Sequence, residues 1–194
     1  NFKAWIDSGL VDLKPVTMLL GTNSSGKSTI IQSLLLLKQT AMSPDRTIHL
    51  NLGGDEVNDL FNFGDFDDVL NQYADAPRSF SLEISLRRGD RKADVEEISL
   101  RCTYVKTSSG SVAVQQMEVS TGKENFRAIR REKGAYSIFV GEETQPRGKS
   151  RGLAPERSIS FSADALSMLQ KDGDLVEDMS LDIRRELEDI SYLG

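Results

Sequence analysis

The apolar positions of this chain follow two rhythms. Between Phe80 and Val140 apolar and polar residues alternate: Leu82, Ile84 and Leu86; then Ile98, Leu100, Cys102 and Tyr104; Val112 and Val114; Met117 and Val119; Phe126 and Ala128; Tyr136, Ile138 and Val140. Neighbouring side chains on a strand point to opposite faces, so each run predicts a strand with one buried face. Turn residues separate the runs at Arg88-Gly89-Asp90, Ser108-Ser109-Gly110, Thr121-Gly122 and Lys133-Gly134. About five strands joined by short hairpins form an antiparallel meander. Arg88-Gly89-Asp90 is read as a hairpin tip rather than an adhesion motif.

The first eighty residues mix both rhythms. Phe2 to Ile6 alternates and predicts a strand, with Leu10 to Lys14 as its return through Ser8-Gly9. After Pro15, the run Val16, Met18, Leu19 and Leu20 predicts a short buried strand. Ile30, Ile31, Leu34, Leu35 and Leu37 then recur at helical spacing, in a helix from about Lys27 to Thr40 that ends at Ser43 because Pro44 disfavours helix before it. Four consecutive leucines, Leu34 to Leu37, predict that this helix is covered on most of its surface. Thr47 to Leu70 reads as short strands and turns, with Ile48, Leu50 and Leu52 alternating. Asp65, Asp67 and Asp68 could form a metal or acid-base site; the simpler reading is a helix start with its acids at the positive end of the helix dipole.

Gln145 to Arg157, rich in Gly, Pro and Arg, predicts a mobile loop. Beyond it Ser162 starts one helix, and Ser180 is expected to cap a second that contains Ile183, Leu187 and Ile190. The expected organisation is a lobe over 1–78, a meander over 79–143, a loop over 144–158 and a helical segment over 159–194.

Composition narrows the function classes. The chain has 194 residues, 38% hydrophobic and 28% charged, which is enough for a real core. A net charge of -6 excludes a uniformly basic nucleic-acid surface. A local patch survives that exclusion: Lys123, Arg127, Arg130, Arg131 and Lys133 lie in or beside one hairpin, either as a phosphate-contacting edge or as a solvated face with Glu124 and Glu132. One cysteine, Cys102, permits no internal disulfide and fits a packed strand residue. One histidine, His49, and no Cys/His cluster exclude a zinc site. No run of about 18 apolar residues predicts a membrane span, and no leader pattern stands at the start, so a cytoplasmic location is expected. The chain begins at Asn1 and stops directly after a helical pattern, so a larger parent protein is expected.

The strongest chemical signal is Gly21-Thr22-Asn23-Ser24-Ser25-Gly26-Lys27-Ser28-Thr29, which fits G-x-x-x-x-G-K-[ST]. Gly21 lets the chain leave the preceding strand, and Gly26 lets backbone approach a phosphate. The amides of roughly Ser24 to Thr29 are expected to form an anion-binding nest at a helix N-terminus. Lys27 is expected to reach the β- and γ-phosphates of ATP, and the Ser28 hydroxyl to coordinate Mg²⁺.

Asn1-Phe2-Lys3-Ala4-Trp5, the loop itself and Ile31 to Thr40 together resemble the N-terminal part of ABC-type ATPases of the SMC/RecF/OLD kind. The likeness is greatest to bacterial AAA-type ATPases that work with nucleases in anti-phage defence, of the Septu kind. Leu50 to Gly54, Phe63 to Val69 and Tyr192-Leu193-Gly194 are similar to further stretches of that group. The resemblance implies a mixed α/β P-loop NTPase head and an ATPase in which Lys27 is catalytic. It implies nucleotide binding through Gly21, Asn23, Ser24, Ser25, Gly26, Lys27, Ser28 and Thr29, with Mg²⁺ on Ser28. It further implies a second ATPase copy and a nuclease as partners, leaves DNA open as a partner, and places Lys3 and Trp5 near the nucleotide. A recombination ATPase of the RecF/SMC kind, or a nucleotide-sensing scaffold without hydrolysis, are the alternatives. Walker B carboxylates, a signature loop and a switch histidine are expected outside this chain. Leu175-Val176-Glu177-Asp178, the nearest candidate for the carboxylates, reads as a turn into a helix.

Overall fold

The computed structural model describes residues 1–55, 59–87, 97–146 and 152–191. The Arg88-Gly89-Asp90 tip, residues 147–151 of the expected loop, and Tyr192-Leu193-Gly194 lie outside the described residues. The protein is mixed α/β, built on a six-stranded antiparallel sheet in simple sequential order. Its strands are β1 (Ser79–Arg87), β2 (Glu97–Lys106), β3 (Val112–Ser120), β4 (Asn125–Arg130), β5 (Tyr136–Val140) and β6 (Glu143–Thr144). The helices are α1 (Lys27–Met42), α2 (Phe66–Val69), α3 (Ala163–Met168) and α4 (Gly173–Asp189). The meander therefore stands as the alternation predicts, with the short β6 added.

Register turns the alternation into a core. Leu82 lies opposite Cys102, Cys102 opposite Met117, Met117 opposite Ala128, and Ala128 opposite Ile138. This row crosses the sheet on its buried face. Burial pushes the Cys102 thiol up to about 12, as suits a packed side chain rather than a nucleophile. One irregularity interrupts the ladder. Thr103 pairs with Gln116 and Tyr104 with Val114, so Gln115 is an extra residue in β3. A bulge of this kind shifts the alternation by one place, which is why the apolar series passes from Val114 to Met117.

The helices close the buried face. In α4, Val176, Met179, Ser180, Ile183 and Leu187 are buried in one stripe. The Ser180 hydroxyl donates to the Val176 carbonyl one turn back at 2.9 Å. Ser180 is thus mid-helix in a single α4, and the expected cap there is corrected: the stripe continues unbroken through it. Leu175 to Asp178 lies inside α4 as well. Ser162 does cap α3, its hydroxyl accepting from the Ala165 amide at 3.2 Å. Lys38 on α1 donates to the Glu188 and Ile190 carbonyls at 2.5 and 2.6 Å, so α1 covers the C-terminal end of α4. Residues 152–157 form no helix or strand, as the loop reading expects, but the segment is anchored to the rest of the protein. Leu153 and Pro155 are buried, and the Glu156 amide pairs with the Ser160 carbonyl at 2.8 Å.

The largest differences lie before residue 70. Phe2 and Trp5 bridge each other across a tight turn, and Phe2 also bridges Leu70. The cause is Phe2 itself, whose ring packs 5.4 Å from Phe80 in the core and folds the chain back. Leu10 to Lys14 and Val16 to Leu20 form no strand. Val16, Met18 and Leu20 are 87%, 76% and 81% exposed, where a buried strand was expected. A strand needs neighbours for its amides and carbonyls, and no backbone hydrogen bond to residues 16–20 occurs among the described residues.

Residues 48–52 form no strand either, because α1 takes over the pairing. The buried Gln39 amide donates to the Asn51 and Phe61 carbonyls and accepts from the Phe61 amide, while the Thr40 hydroxyl accepts from the Asn51 amide. The aspartates at 65–68 form a helix start, as the simpler reading expects. Asp65 caps α2 in a reciprocal capping box with Asp68. The second half of α1 is buried from Leu35, but Ile31 near its start is exposed, so coverage is less complete than the leucine run predicts.

Two outcomes test this packing. Phe80 touches Phe2, Phe66 and Tyr104 with ring centroids 5.1 to 5.4 Å apart. Phe80→Ala is expected to lower unfolding free energy by about 3–5 kcal/mol in denaturant titration. His49 Nδ1 accepts the Val114 amide at 3.0 Å, and burial together with Arg130 holds its pKa below the ordinary 6.5. Protons therefore favour the unfolded chain: this contribution is intact above pH 6.5 and is lost as pH falls below it. The stability difference between wild type and His49→Gln, followed between pH 7.5 and 5, is expected to shrink as the pH falls.

Candidate functional site

The loop between Leu20 and α1 is shaped by its glycines and by one tryptophan. Gly26 is the N-cap of α1 with φ 85° and ψ 10°, a left-handed conformation. Ser24 is also left-handed, with φ 64°. Left-handed residues beside a helix start turn successive amides to one side. The Ser25 amide is taken by the Thr22 carbonyl at 3.3 Å, and the Thr29 amide by the Gly26 carbonyl at 3.0 Å. Among the described residues, the amides of Asn23, Ser24, Gly26, Lys27 and Ser28 have no acceptor in hydrogen-bond range. The nest is therefore narrower than the expected run from Ser24 to Thr29. The first turn of α1 carries no acidic residue, so its positive end is not neutralised locally.

Lys27 curls back over this concavity. Its Nζ donates to the Gly21 carbonyl at 2.8 Å, the Thr22 carbonyl at 2.5 Å and the Ser25 hydroxyl at 3.3 Å. The ammonium thus sits at the mouth of the nest. A Cβ on Gly21 would come 2.8 Å from the Ser25 hydroxyl oxygen, so a bare backbone there keeps the loop closed. The Ser28 side chain is exposed, whereas Thr29 is buried and reaches the site only through its backbone.

Trp5 fixes the far wall. Its indole Nε1 donates to the Gly26 carbonyl at 3.0 Å. A Cβ at Gly26 would lie 2.5 Å from that nitrogen, so glycine is required by contact as well as by φ. Trp5 is held in turn by the N-terminal turn: the Lys3 amide donates to the Val69 carbonyl at 2.8 Å, and Asn71 Nδ2 to the Lys3 carbonyl at 2.6 Å. Lys3 directs its ammonium to the Phe63 ring, 5.5 Å from the centroid. The structure thus sets Trp5 against the loop and turns Lys3 to the aromatic cluster. No local spacing reveals the Trp5–Gly26 contact, because the residues are 21 positions apart.

The arginines of the basic hairpin divide between two faces rather than forming one patch. Arg127 and Arg131 both lie over the Phe139 ring, at 5.5 and 5.8 Å, and Arg127 pairs with Glu142. Arg130 projects from the opposite face of β4. Two clefts of about 450 and 440 Å³ lie on the meander, away from the loop. Among the described residues no group of three or more His, Cys, Asp or Glu side chains is placed to hold a metal. No helix is long and apolar enough to cross a membrane among the described residues. No protein-family model, curated protein or solved structure matches the chain, so its chemistry is argued from its own residues.

Trp5→Phe keeps the packing and deletes the donor. Exchange of the Thr29 amide, which is held by the same Gly26 carbonyl, is expected to accelerate about fivefold, the loss of a hydrogen bond worth about 1 kcal/mol. Gly26→Ala strains the backbone by about 1–2 kcal/mol and displaces the indole, so the emission spectrum of the single tryptophan is expected to shift.

Proposed function

We propose that the protein binds ATP with Mg²⁺ through residues 21–29, as the nucleotide-binding lobe of an ABC-type ATPase. What supports this reading is a run of amides at 23, 24 and 26–28 without an acceptor among the described residues, in the loop that Lys27 Nζ folds back onto, at the start of a helix whose first turn holds no acid. Such a site suits a polyphosphate: the amides and helix dipole favour dispersed negative charge, and the lysine adds a full positive charge at its edge. The glycine spacing matches what this geometry requires.

The residues present fit both ligands. Lys27 would exchange its bonds to the Gly21 and Thr22 carbonyls for β- and γ-phosphate oxygens, stabilising charge as the terminal phosphoryl group departs. The exposed Ser28 hydroxyl, one residue into α1, is free to enter the coordination of a magnesium ion. The bound ion would neutralise phosphate charge. Asn23 and Ser24 would hold phosphate oxygens by their amides, with Ser25 closing the turn behind Lys27. Hydrolysis needs a water-activating carboxylate, which this reading assigns to a segment or copy beyond the residues described.

The apolar row Val16, Met18 and Leu20, exposed immediately before the loop, supports an assembly in which this segment is covered. A second copy of the ATPase, with a nuclease or DNA as the element it controls in defence, is the assembly this reading favours.

Lys27→Ala is expected to weaken ATP binding at least tenfold by calorimetry while leaving the melting temperature within a few degrees. Unchanged affinity would overturn the reading. Ser28→Ala is expected to retain ATP binding in EDTA and to lose the gain conferred by Mg²⁺.

A further inference from the structure

The 440 Å³ cleft on the meander has the chemistry of a second, separate site. It opens between residues 47–50, the β2–β3 turn and the corner joining β4 to β5. Its volume lies in the range of small-molecule pockets. Of its lining residues only Arg130 is charged at neutral pH, and no aspartate or glutamate lines it, in a chain whose net charge is -6. Among the described residues Arg130 forms no ion pair. Gly134 leaves room for the guanidinium, since a Cβ there would stand 3.3 Å from Arg130 Nη2.

The neighbouring groups are donors too. His49 Nδ1 is occupied by the Val114 amide, so the neutral ring carries its proton on Nε2. That nitrogen has no acceptor among the described residues, and His49 is one of the residues that line the cleft. The Thr107 and Ser111 hydroxyls stand together, 2.9 Å apart. The wall is rigid: the Tyr136 hydroxyl donates to the Val114 carbonyl at 2.6 Å, and the His49 and Tyr136 rings meet edge to face at 6.1 Å. Ile48, Val112 and Ala154 supply an apolar side.

A partly buried guanidinium without a counter-charge gains from an oxyanion that its planar fork can grip through two hydrogen bonds. A fixed wall lowers the ordering cost of binding. We propose that this cleft binds a small organic oxyanion, its charged end on Arg130 and the His49 Nε2–H, its apolar body against Ile48, Val112 and Ala154. The site does not depend on the nucleotide reading of the loop. A phosphate monoester and a carboxylate share this chemistry, and the probes separate them.

His49 is the single histidine, so its imidazole resonances report the cleft alone. The whole chain is titrated with phenyl phosphate and, separately, with benzoate, following His49 by NMR. Saturable shifts with either probe support the site, and the probe that shifts them assigns the anion. Arg130→Gln is expected to weaken binding at least tenfold. Ser111→Asp, on an exposed turn, is expected to do the same by setting a carboxylate at the mouth, with an unchanged melting temperature as the check on its fold. Lys27→Ala is expected to leave the titration unchanged. Absence of a saturable shift, insensitivity to Ser111→Asp, or loss of the response in Lys27→Ala would each overturn the proposal, the last by assigning the anion to the loop.

Discussion

The ring of Phe80 is the contact on which the arrangement depends. It receives Phe2 from the N-terminal turn, Phe66 from α2 and Tyr104 from β2. Two segments outside the sheet, the N-terminal turn and α2, are thereby fixed to it. The consequence reaches the loop, because Phe2 and Trp5 belong to one tight turn and Trp5 holds the Gly26 carbonyl. The geometry of the glycine loop is thus suspended from the sheet through two aromatic side chains. Surface charge contributes less. Lys106 and Arg78 flank Asp67 at 2.6 and 3.3 Å, but all three are substantially exposed, and such pairs are worth little.

Much of this was legible in the order of residues, for physical reasons. The meander follows from period-two burial, which each strand carries within itself, and the turns follow from residues that tolerate tight backbone. Even the bulge at Gln115 left a mark as a change of phase. The glycine loop was equally plain because its requirements are local: two glycines and a lysine at fixed spacing. What alternation cannot state is whether a partner strand exists. Val16, Met18 and Leu20 have the pattern of a buried strand and none of its neighbours here. Ile48 to Leu52 shows a second limit, since Gln39 and Thr40 of a helix took the hydrogen bonds a strand would have made.

The resemblance pointed Trp5 toward the loop and charge spacing singled out Arg130, but the particular contacts of both were illegible, because their partners lie far along the chain. Trp5 gains meaning from Gly26 and Arg130 from His49 and Gly134. Ser180 misled because serine is a good cap in isolation, and only the stripe on both sides of it shows that the helix runs through. The basic residues near the β4–β5 corner read as one patch but alternate between faces, so Arg127 and Arg131 cover Phe139 while Arg130 turns inward.

The uncovered stretch ahead of the glycine loop has a cost for handling the protein. Residues 16–20 carry no charge and expose both apolar side chains and free peptide groups. Such a segment is a template for adding a strand from any neighbour, including another molecule of the same sequence. Solutions of this chain should become turbid or elute as larger species as concentration rises, and a lysine placed at Met18 should act as a gatekeeper against that growth.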